Sequence, residues 1–206
     1  QLLTYYLANY PLMWEEAPLN EVAKRSGVST ATIKSVIDKG WFERQKRQVY
    51  RDPLANQERH STTARALLPE QAIAFNAVKD AITAERNETF LLEGVTGSGK
   101  TEVYLQLMAH ARQRGEAAIL LVPEISLTPQ MVARVTERFS TGVAVLHSGL
   151  STSEKYDEWR RIIKGEATIV VGARSSVFAP LDKLGLIIID EEHETTYKQA
   201  DNPRYH

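Results

Sequence analysis

The sequence predicts an α/β domain built on a parallel sheet with a phosphate-binding loop, preceded by a small domain of winged-helix type. Three observations carry this. Apolar, β-rich runs alternate with helical stretches from about Pro69 onward. Gly94-Val95-Thr96-Gly97-Ser98-Gly99-Lys100-Thr101 satisfies the pattern G-x-x-x-x-G-K-[ST]. Residues 1–52 read as short helices followed by a strand pair.

Bulk composition bounds the possibilities. A chain of 206 residues holds one medium domain and one small one. With 43% hydrophobic and 25% charged residues it has the composition of a water-soluble globular protein, and no apolar run approaches the roughly 20 residues of a membrane span. No membrane partner is expected. The absence of cysteine removes disulfides and thiolate metal clusters, which suits a reducing cytoplasm. A formal net charge of −1 means that any contact with nucleic acid must come from local patches.

In residues 1–52, Leu2, Leu3, Tyr6 and Leu7 have helical spacing, and Leu19, Val22 and Ala23 repeat it after Pro18. Gly27 interrupts, and Ser29 is placed to cap a third helix that buries Ile33, Val36 and Ile37 and ends at Gly40. Trp41–Arg44 and Arg47–Arg51, joined by a polar turn, read as a hairpin or wing. Thr30, Thr32, Lys34 and Ser35 face outward from the last helix, the recognition position of a helix-turn-helix. Residues 21–51 carry eight Lys or Arg against three acids, a local charge of +5. Lys34 and Arg47 are therefore candidates for phosphate contact, against the alternatives of a solvated charged face or a protein-contact module.

Residues 53–67 lack apolar periodicity and read as a linker; residues 68–206 form the second domain. Its expected strands are Phe90–Leu92, Ala118–Val122, Val143–Leu146, Thr168–Val171 and Leu186–Ile189, unbroken apolar runs of the kind buried on both faces of a parallel sheet. The glycine-rich loop follows the first of these and opens a helix over Thr101–Arg114, which Gly115 terminates. Gly94, Thr96, Gly97, Ser98 and Gly99 let backbone N–H groups close around phosphates, Lys100 reaches the β and γ oxygens, and Thr101 binds Mg²⁺. Asp190 follows the last apolar strand, at the carboxyl edge of the sheet where such folds bind ligands. It would hold Mg²⁺ through water, with Glu191 orienting or deprotonating the attacking water. ATP and Mg²⁺ are the cofactors expected.

Beyond these two motifs lie Glu102-Val103-Tyr104, the run Leu121 to Gln130 (LVPEISLTPQ), Leu146-His147-Ser148-Gly149-Leu150, Gly172-Ala173-Arg174-Ser175-Ser176 and Asp190-Glu191-Glu192-His193. In order and spacing this series resembles the bacterial PriA replication-restart helicases. The resemblance implies a RecA-like P-loop helicase lobe, the first of two, and an ATP-dependent 3′ to 5′ DNA helicase. Such an enzyme recognises stalled or branched forks and initiates primosome assembly.

Residue by residue, the resemblance makes Gln71 the residue that recognises adenine and His193 the link from the nucleotide site to the DNA side. Thr128, Gln130, Arg174 and Ser175, with Pro123, Glu124 and Gly172, match motifs along the DNA path. Tyr197, Lys198, Arg204 and Tyr205 fall in the aromatic-rich loop that senses single-stranded DNA; the tyrosines would either stack on bases or pack beneath the loop. Forked and single-stranded DNA, single-stranded-DNA-binding protein and primosome proteins are the partners implied, in the cytoplasm and at the nucleoid. The second lobe with its arginine finger, a cysteine-rich zinc module and an N-terminal DNA 3′-end domain are expected to lie outside this stretch. Hydrolysis by the stretch alone is accordingly expected to be weak. Two other readings remain open at this point: a ligand-regulated transcription factor that uses ATP as a switch, and a catalytically silent scaffold.

Overall fold

A computed structural model describes residues 2–9, 18–44 and 62–198 and divides the chain into two compact units, 1–49 and 50–206.

The first unit contains α1 (Leu2–Asn9), α2 (Leu19–Ser26) and α3 (Thr30–Asp38). Leu2, Val22 and Ile33, one from each helix, are buried together and flanked by Tyr5, Ala23, Val28, Val36, Ile37 and Phe42. Ser29 caps α3 as expected, its hydroxyl accepting from the Thr32 N–H at 3.2 Å. At the other end, Gly40 at φ +75° lets the Gly40 N–H reach the Ile37 carbonyl and the Trp41 N–H reach the Val36 carbonyl, a Schellman closure. Thr30, Thr32, Lys34 and Ser35 are exposed. The wing is not reproduced in its first half: residues 41–44 form no strand, and a strand exists only through a paired neighbour. Its second half, Arg47–Arg51 with Arg47 itself, lies outside the described residues.

In the second unit, residues 62–68 run without secondary structure across two helices: the Thr62 N–H donates to the Glu137 carbonyl and the Arg65 N–H to Glu102 Oε1. This part of the expected linker is tied down. There follow α4 (Pro69–Thr83), α5 (Lys100–Gln113), β1 (Ala117–Leu121), α6 (Pro129–Phe139), β2 (Val143–Leu146), α7 (Thr152–Ile163), β3 (Ile169–Gly172) and β4 (Leu184–Ile189). The strands form one parallel sheet in the order β2-β3-β1-β4. Residues alternate between its faces. Ala118, Leu120, Val143, Val145, Ile169 and Val171 pack with Met108, Val135 and Phe139 of α5 and α6; Ile119, Leu121, Ala144, Leu146 and Val170 pack on the opposite face with Ile162 and Tyr197.

The two borders of the sheet differ. At β2, the buried Glu158 of α7 accepts the Val145 N–H at 3.1 Å, and Arg161 donates to the Val143 carbonyl at 2.9 Å. The two side chains also pair with each other at 3.2 Å. At β4, Leu184, Ile187 and Ile189 are exposed, and no further strand flanks it among the described residues. This corrects the expectation for Phe90–Leu92. The segment has no ladder partner, forms no strand, and leaves Phe90 41% and Leu91 77% exposed, while Leu92 still packs against the core. The phosphate loop thus follows an extended segment rather than a strand. The other four expected strands are present within two residues of their predicted ends.

Candidate nucleotide site

The glycine-rich loop is built for close approach. Gly97 and Gly99 both sit at φ +82°, in the left-handed region that side chains rarely adopt. Gly99 is also the N-terminal cap of α5, so the helix's first N–H groups face the loop. Lys100 folds back over this loop, its ammonium donating to the carbonyl of Gly94 and, at 3.3 Å, to that of Val95. Ser98 Oγ is buried with no hydrogen-bond partner. An unmatched hydroxyl, two left-handed glycines, a helix N-terminus and a lysine at its mouth form a donor set that fits phosphate oxygens.

Gln71, in the first turn of α4, lies against the loop from below. Its Oε1 accepts the Leu68 N–H at 2.9 Å and its Nε2 donates to the Ser98 carbonyl at 2.7 Å. A side chain on Gly99 would collide with this amide. The amide thus caps its own helix and braces the phosphate loop, and a second N–H and a second lone pair are left for a base, so that adenine recognition by Gln71 is carried forward as a proposal.

Asp190 stands at the carboxyl end of β4, its N–H held by the Leu121 carbonyl at 2.9 Å. Tyr104, one helical turn after Thr101, donates to Asp190 Oδ1 at 3.2 Å. This bond brings the acidic strand end against the first turns of α5, placing Lys100, Thr101 and Asp190 around one region. Burial, and then the Asp190 carboxylate, push the Tyr104 hydroxyl well above the ordinary tyrosine range, so it remains a neutral donor. Glu191 follows in a left-handed backbone conformation, φ +50°, and Ser126 of the β1–α6 loop donates to its Oε2 at 3.0 Å.

The motifs assigned to the DNA path also converge. Pro123, Glu124, Ala173, Arg174, Ser175, Thr196 and Tyr197 line one cleft. Arg174 donates to the Thr196 carbonyl at 3.1 Å, joining the turn after β3 to the segment after Asp190. Thr128 caps α6 through the Met131 N–H at 3.3 Å, and Gln130, Ser175 and Lys198 are exposed.

Two further assigned residues are placed as follows. Tyr197 is 7% exposed, belongs to the core, and donates to the Asp190 carbonyl at 2.7 Å. It packs beneath the loop, one of the two positions the sequence left open for it. His193, 71% exposed, lies 3.9 Å from Glu192 and makes no hydrogen bond toward the cleft among the described residues. Ser126 and Tyr197 also join the segment after β4 to the cleft side, through Glu191 and the Asp190 carbonyl. Arg204 and Tyr205 lie outside the described residues. Tyr104 and Ser126 are additions to the site. Tyr104 was foreshadowed by its place in the run Glu102-Val103-Tyr104, and Ser126 by its place within LVPEISLTPQ.

A parallel α/β lobe with a phosphate loop and an acidic strand end is a nucleotide-binding domain of the P-loop class. Residues 65–205 match the family described as the res subunit of type III restriction enzymes, and the chain belongs to that family. Its similarity to particular proteins reaches further. It is 50% identical to replication restart protein PriA of Bacillus subtilis (strain 168) over 206 residues, all of this chain and 26% of that protein. It is 43% identical to the protein of the same name from Synechocystis sp. over 198 residues, 94% of this chain and 22% of that protein. The resemblance carried by the motifs is thereby borne out, and the chain spans about a quarter of the length of these relatives. Among solved structures, RecG bound to a three-way DNA junction superposes with a TM-score of 0.57 at 28% identity, covering 63% of this chain and 18% of that one. The RecA-like helicase-lobe fold follows from that likeness.

Proposed function

We propose that this chain is the ATP-binding lobe, with an adjoining DNA-contacting unit, of an ATP-dependent 3′ to 5′ DNA helicase that acts at stalled or branched forks and initiates primosome assembly. The observation that carries the reading is the Tyr104–Asp190 hydrogen bond, which sets an acidic strand end beside the phosphate-loop helix. Lys100 would neutralise β- and γ-phosphate oxygens, and Thr101 and Asp190 would hold Mg²⁺, which screens the phosphate charge. Glu191 would take a proton from water as the water oxygen bonds to the γ-phosphorus. The bond to the β–γ bridging oxygen then breaks, its electron pair leaving with ADP.

Thr128, Gln130, Arg174, Ser175 and Lys198 supply hydroxyl, amide and cationic groups suited to a sugar–phosphate backbone without base preference. Lys34, on the exposed face of α3, is proposed to meet duplex phosphates. Forked and single-stranded DNA are the nucleic-acid partners of this reading; single-stranded-DNA-binding protein and primosome proteins are its protein partners. A zinc module of the PriA type would lie outside this cysteine-free stretch. Among the described residues no helix is long and apolar enough to cross a membrane, and the proposed place of action is the cytoplasmic nucleoid.

The test is Lys100→Ala in the full-length protein that contains this chain. Fork-stimulated ATP hydrolysis is expected to fall by at least about 10²-fold while fork binding stays within about threefold. Retained hydrolysis would refute the assigned site. Protection of one defined sequence in preference to random forks would favour a transcriptional regulator instead.

A further inference from the structure

We infer that Ser126 is a positioning residue that holds Glu191 back from water until the β1–α6 loop is displaced by a nucleic-acid strand. The inference rests on the ATPase reading above and assigns its regulation. The loop has two sides. Pro123 and Glu124 face the cleft shared with Arg174, Ser175, Thr196 and Tyr197. Three residues on, the Ser126 hydroxyl donates to Glu191 Oε2 at 3.0 Å.

The segment between these two sides is stiff. The Ser126 and Leu127 N–H groups both bond the Pro123 carbonyl, at 2.9 and 3.0 Å, and the Thr128 N–H bonds the Ser126 carbonyl at 2.8 Å. A push on the cleft side therefore moves the hydroxyl rather than being absorbed between them. At the other end, Glu191 is held by the backbone of its neighbours, with the Asp190 N–H fixed to Leu121 and the Glu194 N–H to the Glu191 carbonyl. Its side chain is the part that Ser126 holds.

A hydroxyl that donates to a carboxylate holds the group at the donor. That placement opposes the task of a general base, which must bring a lone pair to the proton of the attacking water. Glu191 bonded to Ser126 is thus restrained, and its release is tied to the position of residues 123–128. The loop reports occupancy of the cleft to the hydrolytic carboxylate through a single hydroxyl.

The experiment measures ATP hydrolysis by the full-length protein and its Ser126→Ala and Ser126→Thr variants, without DNA and with saturating oligo(dT). For Ser126→Ala the DNA-free kcat is expected to rise about fivefold, with the DNA-saturated kcat, the KM for ATP and the affinity for oligo(dT) each within about twofold of the parent. Ser126→Thr retains the hydroxyl and should keep the low DNA-free rate. An unchanged DNA-free kcat in Ser126→Ala overturns the inference. So does an equal fall in both rates, or a rise shared by Ser126→Thr. If Lys100→Ala still hydrolyses ATP, the site reading itself fails. If Lys100→Ala is inactive and Ser126→Ala behaves like the parent, the site stands and only the restraint is refuted.

Discussion

Tyr104 Oη and Asp190 Oδ1, 86 positions apart in the chain, are joined by a hydrogen bond of 3.2 Å that fixes one oxygen of the proposed metal-binding carboxylate. Burial and Asp190 raise the tyrosine's pKa, so the hydroxyl stays protonated through neutral and mildly alkaline pH. Tyr104→Phe in the full-length protein should raise the Mg²⁺ concentration for half-maximal hydrolysis by about 10- to 100-fold, the worth of roughly one hydrogen bond to a charged group. The penalty should be the same at pH 6 and pH 9. A penalty that grows toward high pH would mean that the tyrosine ionises.

Gln71 braces the phosphate loop through the Ser98 carbonyl. Gln71→Ala should therefore weaken binding of both ADP and GDP, by about 3- to 10-fold, because a loop support is lost. Isothermal titration with the two nucleotides separates the roles: a further loss confined to the adenine nucleotide would bear out adenine recognition.

Glu102 is paired with Arg138 at 3.0 Å and also accepts from the Arg65 N–H and Gln106, tying α5 to α6 and to residues 62–67. Burial alone would raise its pKa, but bonds from Arg138, Gln106 and Arg65 outweigh it and carry the carboxyl below the ordinary glutamate value. The folded state therefore binds fewer protons than the unfolded state between the two pKa values. The stabilisation is complete above the unfolded value, near pH 4.5, and is lost as pH falls through the folded value. Glu102→Ala should cost about 2–3 kcal/mol at pH 7 by urea unfolding. The difference from the parent should shrink below pH 4.

Gly172 ends β3 with no room for a side chain: an added Cβ would stand 2.1 Å from the backbone oxygen of Leu146 and equally close to Ser176 Oγ. Backbone cannot yield as a side-chain tip can, so Gly172→Ala should destabilise the lobe by more than about 3 kcal/mol. Thermal unfolding within about 2 °C of the parent would contradict this packing.

The parallel architecture was legible because β1, β2, β3 and most of β4 are short apolar runs, and the site's ends were legible because glycine spacing and a carboxylate after an apolar run are local patterns. What escaped was relational. For Tyr197 the sequence leaves stacking and packing beneath the loop equally open until the chain folds it under Asp190, and nothing near Gln71 in the sequence announces its bond to the Ser98 carbonyl. Phe90–Leu92 has strand composition, but a strand is made by its neighbour, and composition names no neighbour. Ser126 and Glu191 are 65 positions apart, and neither residue's local pattern announces the other.

The unlike borders of the sheet give the lobe a direction of assembly. Along β2, Glu158 and Arg161 already occupy backbone groups that a foreign strand would need, so this side acts as a built-in terminator against cross-molecule ladders. Any lengthening of the sheet, and any unwanted polymerisation of the isolated lobe, starts at the opposite rim, where Leu184, Ile187 and Ile189 lie exposed. Lysines introduced there should act as gatekeepers and slow aggregation, whereas the same change beside Glu158 would gain nothing.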